Sequence, residues 1–159
     1  MTEPANGLRF RAAVLADLPE IVRLLAADAL GSSREQPGEN VSPAYDRAFA
    51  AIDADPHNEL VVATVDDRVV GCMQLTTIPS LTYHGGARLQ VEGVRVDREL
   101  RSRGIGEAMM RYAIERATAT GCHLVQLTTN AQRTDAHRFY RRLGFEPTHV
   151  GFKLHLPRD

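Results

Sequence analysis

Two hydrophobic rhythms alternate along the chain, and their order predicts its architecture. Leu8-Arg9-Phe10-Arg11 alternates apolar and polar residues and reads as a first strand. Asp17 with Glu20 three residues on makes a capping-box start. Ile21, Leu24, Leu25 and Leu30 then recur at helical spacing. Residues 31–43 are polar and rich in turn formers, after which Tyr45, Phe49 and Ile52 restore the helical period over 43–55. Residues 60–65 and 68–78 read as strands joined by a tight Asp66-Asp67 turn. A glycine-containing loop over 82–87 leads into a strand over 89–96. From Gly104 to Thr120 the pattern is helical, with Ile105, Ala108, Met109, Tyr112 and Ala113 on one face and Gly121 as the stop. A strand over 123–129, a helix over 134–143 ended by Gly144, and two short strands around Pro147 within 145–156 follow. The order β-α-α-β-β-β-α-β-α-β-β predicts one α/β (α+β) domain over residues 1–159. Its core is a mixed sheet of six to seven strands flanked by about four helices, parallel where a helix intervenes.

One strand breaks its own rhythm. Leu89 and Val91 are apolar at odd positions, Val94 and Val96 at even ones, so the alternation slips at Glu92-Gly93. A one-residue slip turns side chains to the other face. A β-bulge at Glu92-Gly93 repairs it, with glycine absorbing the unusual dihedrals, and splays the strand from its next neighbour. The other reading is a strand with one face of mixed polarity.

The same strand runs into Arg101-Ser102-Arg103-Gly104-Ile105-Gly106 and then the long helix. A turn at a helix start gathers unpaired N–H groups and the positive end of the helix dipole, here beside two arginines. That suits the diphosphate of a nucleotide cofactor. The turn lacks the Gly-Lys-Ser/Thr ending of a triphosphate loop, and Met109 occupies the third glycine position of a dinucleotide fingerprint.

Charge narrows the partners. A net charge of -1 argues against nucleic acid, which selects a basic excess. The two cysteines, Cys72 and Cys122, sit in apolar strand-like segments without paired-ligand spacing, which predicts buried free thiols, no metal site and a reducing, cytoplasmic setting. No signal-peptide pattern opens the chain and no apolar run is long enough for a bilayer, so no membrane partner is expected.

Taken together, the Val-x-Val strand end, the R-x-x-G-x-G turn, the helix, the strand and a helix carrying F-Y-x-x-L-G-F closely resemble the GNAT superfamily of acyl-CoA-dependent N-acyltransferases. The resemblance covers nearly the whole chain in element order and is sharpest from Val91 to Phe145. It implies a GNAT-like fold with a splayed parallel strand pair. It also implies acetyl-CoA as co-substrate, its pyrophosphate on Arg101, Ser102, Arg103, Gly104, Ile105, Gly106 and the adjoining Glu107. The pantetheine arm would pair with the main chain of Val94, Arg95 and Val96 as a missing strand. Many members carry an asparagine seven residues before the motif tyrosine. Here that position is Arg133, and Asn130 is the nearest substitute.

Amide formation needs a neutral amine, a stabilised oxyanion and a departing thiolate. Glu92, at the expected bulge, is the candidate general base, directly or through water; the other reading is an exposed glutamate, or one paired with Arg88 or Arg95. A backbone N–H at Gly93 or Val94 is the candidate oxyanion donor. The resemblance implies Tyr140 as general acid near the sulfur, against a plain core aromatic. Tyr83 and His84 before the central strand and His149 near the expected last hairpin are candidate acceptor contacts, with structural roles as the default. The implied activity is acetyl transfer to a primary amine of an unidentified small molecule or peptide, by direct attack on the thioester. The alternative is a coenzyme-A-binding sensor or interaction protein without turnover. A homodimer is expected, since many relatives dimerise and the last strands are apolar.

Overall fold

The strand-like segments between residues 9 and 127 hydrogen-bond in sequence order into one sheet, as a computed structural model describing residues 7–27, 30–38 and 40–157 shows. The chain divides into two compact units, residues 1–127 and 128–159. The first holds β1 (Arg9–Ala12), β2 (Asn58–Val65), β3 (Arg68–Ile78), β4 (Arg88–Val96) and β5 (Leu124–Leu127), in the order β1-β2-β3-β4-β5. The first three pairings are antiparallel and β4–β5 is parallel. The long helix between β4 and β5 supplies the crossover that parallel pairing requires. Its helices are α1 (Leu18–Ala26), α2 (Pro43–Asp53), the four-residue turn α3 (Thr82–Gly85) and α4 (Ile105–Ala119). The second unit holds α5 (Thr134–Arg142).

Strand alternation sorts the core onto two faces. Cys72 packs with Val62, Ile21 and Leu24 on the α1 side. Leu75 and Val91 are register partners on the other side, where Gly71 faces Met109 of α4. The β2–β3 turn has Asp66 and Asp67 both at positive φ (49° and 61°), the type I′ geometry that matches strand twist. Gly71 is required for close approach: a Cβ there would lie 2.9 Å from Met109 Sδ and 3.0 Å from the Arg95 carbonyl. The sulfur can move aside but the backbone oxygen cannot. Gly71→Val is therefore expected to lower unfolding stability by about 1–3 kcal/mol, read from urea denaturation. A wild-type midpoint in that variant would refute this contact.

Several expectations are corrected. The sheet has five strands among the described residues, not six to seven, because 145–156 forms no ladder. The fifth strand is shorter than 123–129. Leu30 lies in a turn beyond α1, and residues 28–29 fall outside the described set. Asp17 does not cap α1 with its side chain. Its carboxylate instead reaches back to the Val14 N–H (2.8 Å) and takes a two-pronged contact from Arg11 (2.6 and 2.9 Å), while Glu20 accepts from Arg23. Cys72 is buried, but Cys122 is only half-buried; both are free thiols. No helix among the described residues is long and apolar enough to cross a membrane.

Candidate active site

The bulge falls where the parity break puts it, within one residue. Gln74 pairs with Glu92 and Cys72 with Arg95, so Met73 alone opposes Gly93 and Val94. Gly93 has φ 61°, in the left-handed region that glycine enters without strain. The extra residue keeps Leu89, Val91, Val94 and Val96 on the α4 side despite their mixed parity, because β4 gains one position there.

The bulge also ends the parallel ladder. β4 pairs with β5 from Arg88↔Leu124 to Val91↔Leu127 and no further. From Glu92 to Val96 it stays bonded to β3, and among the described residues no strand pairs with its other edge. The Asp97 N–H donates to the Val70 carbonyl at 2.8 Å, on the β3 side. Main-chain groups alternate along a strand, so those of Val94 and Val96 face the vacant edge. The Cys72 thiol, 3.7 Å from the Gly93 carbonyl, draws that oxygen inward. In a trans peptide the next N–H, that of Val94, points the opposite way. Arg95 belongs to the Cys72 side, yet its Nη1 donates to the Val94 carbonyl at 2.9 Å. Arg101 Nε lies 3.5 Å from the Val96 carbonyl.

Beyond β4, residues 98–100 form a 3-10 turn, Ser102 takes φ 63° and Gly104 φ 76°. Gly104 stands at the N-cap of α4, and no side chain caps that helix. The first main-chain bond into it is from the Ala108 N–H to the Gly104 carbonyl at 2.9 Å, so the N–H groups of Ile105, Gly106 and Glu107 have no intrahelical acceptor. Arg101, Ser102 and Arg103 are exposed around this start. Glu107 is held by Arg111 one turn on. A bare helix start with the exposed Arg101 and Arg103 just before it can accept an anion.

A residue the sequence reading passed over holds this turn in place. Asp97 is 3% exposed. Its carboxylate accepts from Arg23 (3.0 Å), Arg68 (3.1 Å) and the Glu99 N–H (3.1 Å). Burial pushes its pKa up, but the Glu99 N–H, Arg23 and Arg68 outweigh burial and hold it below the ordinary carboxylate value. The available signal was an aspartate directly after an apolar strand and two residues before Glu99, an N-cap pattern. Burial also raises the Cys72 thiol to about 12, which leaves it a packed donor rather than a nucleophile.

The other candidates divide. Glu92 is exposed, and its carboxylate makes no hydrogen bond or ion pair among the described residues, so neither Arg88 nor Arg95 holds it. Tyr83 and His84 both adopt left-handed backbone in α3 (φ 52° and 57°), at the end of β4 away from the turn. Tyr83 stacks on His123 with ring centroids 4.6 Å apart. In the second unit Tyr140 is half-buried, edge-on to Phe139 (5.1 Å) and Phe145 (5.9 Å). Arg133 is the N-cap residue of α5. The Asn130 side-chain oxygen accepts from the Gln132 N–H, and its carbonyl accepts from Arg133 N–H and lies 3.1 Å from His137 Nε2. His149 is exposed beside Thr148.

The chain is similar in sequence and fold to known proteins. A model of the acetyltransferase (GNAT) family matches residues 23–145. An aminoalkylphosphonate N-acetyltransferase of Salmonella typhimurium is 33% identical over 109 residues, 69% of this chain and 70% of that protein. The crystal structure of a protein described as a transcriptional regulator from Bacillus halodurans is 46% identical with a TM-score of 0.91, covering 94% of this chain and 99% of its own. A structure assigned as an acetyltransferase from Agrobacterium tumefaciens is 30% identical with a TM-score of 0.82, covering 93% and 99%.

Proposed function

The chain belongs to the acetyltransferase (GNAT) family, its relatives include proteins named as N-acetyltransferases, and we propose that it transfers an acetyl group from acetyl-CoA to the primary amine of a small molecule or peptide. The observation that carries this reading is the uncapped start of α4 standing beside the vacant edge of β4. Main-chain N–H groups from Ser102 to Glu107, with Arg101 and Arg103, hold the pyrophosphate. The edge groups of Val94 and Val96 hold the pantetheine amides, with Asn130 and Arg133 as further contacts. When bound, acetyl-CoA supplies an activated thioester carbonyl and a thiol leaving group. Glu92, exposed and unpartnered, takes the ammonium proton directly or through water. The Val94 N–H, turned outward by the Gly93 peptide, is the oxyanion donor, and Tyr140 returns a proton to the thiolate. Tyr83, His84 and His149 contact the acceptor. The 159 residues act as one catalytic domain, in the cytoplasm, as a homodimer.

Saturating acetyl-CoA is expected to raise Tm by about 5–10 °C, as ligand at about a hundred times Kd does for a domain of this size. A panel of an aminoalkylphosphonate, an amino acid, a polyamine, an aminoglycoside and a peptide N-terminus, read by free thiol, then identifies the acceptor class. Tyr140→Phe is expected to lower kcat about 10- to 100-fold with acetyl-CoA affinity unchanged. The absence of any acetyl-CoA shift in wild type would sink the proposal.

The Bacillus halodurans relative, described as a transcriptional regulator, favours a second reading in which coenzyme occupancy is sensed without turnover. A large acetyl-CoA shift with no thiol release from any amine would select it.

A further inference from the structure

The sheet face under α1 changes character part-way along its strands. Val62 and Cys72 pack against Ile21 and Leu24, and the partly buried Leu25 and Leu60 adjoin that cluster. Beyond them the same face turns polar, with Asn58 on β2 opposite Thr76 on β3, and Gln74 on β3 opposite Glu92 on β4. A hydrogen-bond chain crosses these residues. Asp55 Oδ2 accepts from Asn58 Nδ2 at 2.6 Å, and Asn58 Oδ1 accepts from Gln74 Nε2 at 2.9 Å and from Thr76 Oγ1 at 2.7 Å. The His57 N–H and the Asn58 amide hold the Asp55 carboxyl below its ordinary value, so the head of the chain is ionised at neutral pH. An ionised carboxylate only accepts, so the Asn58 nitrogen faces it and the Asn58 oxygen faces Gln74. The Gln74 nitrogen is thereby committed to Asn58, and its Oε1 has no hydrogen-bond partner among the described residues.

Gln74 stands directly across from Glu92, on the rung next to the bulge. Opposed residues of an antiparallel pair have Cβ atoms about 4.5–5.5 Å apart. An amide oxygen and a carboxylate thus occupy neighbouring positions on one face, both able to accept and neither held by a donor among the described residues. We infer that the shared donor is the substrate amine, with Gln74 Oε1 accepting one N–H while another gives its proton to Glu92, an assignment that rests on the acetyl-transfer reading above. An anchored N–H restricts rotation of the nitrogen and so the direction of its attack. Asn58 and Asp55 do not touch the amine. They are positioning residues, and their work is to keep the Gln74 amide from turning its nitrogen towards a cationic substrate.

With whichever amine of the panel releases thiol, Gln74→Met is expected to raise the amine KM about 10- to 100-fold, the loss of one hydrogen bond from a charged donor, with the acetyl-CoA KM within about twofold of wild type. Asn58→Leu leaves Gln74 in place but unlocks its amide, so the amine KM should rise by less, about 3- to 10-fold, and the Gln74 side-chain amide signals should move in the NMR spectrum. An unchanged amine KM in Gln74→Met overturns the inference. So does an equal rise in both KM values, which would make Gln74 a prop of the sheet. If the wild type releases thiol from no amine, the acetyl-transfer reading fails by itself, and NMR titration of the wild type with propylammonium decides the Gln74 contact. A saturable shift of the Gln74 side-chain amide signals upholds the contact, and no shift overturns it. The same titration decides if Gln74→Met fails to fold.

Discussion

Glu92→Gln is expected to lower kcat/KM for the amine about 100-fold or more at neutral pH, with the KM for acetyl-CoA within twofold of wild type. A positioned general base contributes about 10²–10⁴, and each tenfold is about 1.4 kcal/mol of barrier. The deficit has a pH signature. An alkyl ammonium with pKa about 10.4 is mostly charged at pH 7 and needs its proton removed. Raising the pH supplies neutral amine from solution, so the gap between variant and wild type should narrow towards pH 9.5. Rates of free thiol release at fixed acetyl-CoA across that range are the measurement. A variant at full speed throughout, or one whose deficit does not change with pH, would remove Glu92 from the proton path. The amide preserves shape, so such a result would not reflect misfolding.

Asp97→Ala is expected to cost about 2–3 kcal/mol of unfolding stability and to weaken acetyl-CoA binding at least tenfold. The carboxylate is buried, and its removal leaves the Arg23 and Arg68 guanidiniums and the Glu99 N–H without their acceptor, a loss of that order. Asp97→Asn keeps the shape and isolates the charge. Because the folded-state pKa is depressed, the charge stabilises fully above the unfolded value of about 3.9, and its contribution is lost as pH falls through the folded value. The wild type should therefore exceed Asp97→Asn at pH 7, and the gap should begin to close below about pH 4 and vanish only below the folded value. Urea unfolding at both pH values tests this, and equal stabilities at pH 7 would show that the charge is not what holds the turn.

The parts of this molecule legible in the chain are those encoded by neighbours. The slip between Val91 and Val94 located the bulge because alternation is a local record of which face each residue occupies. The bare start of α4 was legible for the same reason. Asp97 was not, since its partners Arg23 and Arg68 lie 74 and 29 residues away, and no local pattern specifies such a meeting. Asp17 fitted a helix cap and serves Arg11 and Val14 instead; spacing offers a carboxylate to both ends and packing chooses. Residues 145–156 alternate as strands do and form none, because alternation records which face a residue would take and supplies no partner strand.

The one-against-two count at Met73 makes this stretch of β4 far less tolerant of a change in length than of a change in side chain. Shortening the chain by a single residue at Gly93 would exchange inside for outside in everything downstream: Val94 and Val96 would turn from α4, and the Arg95 guanidinium would be driven beneath it. Residues there can be swapped one at a time, but the spacing itself is fixed.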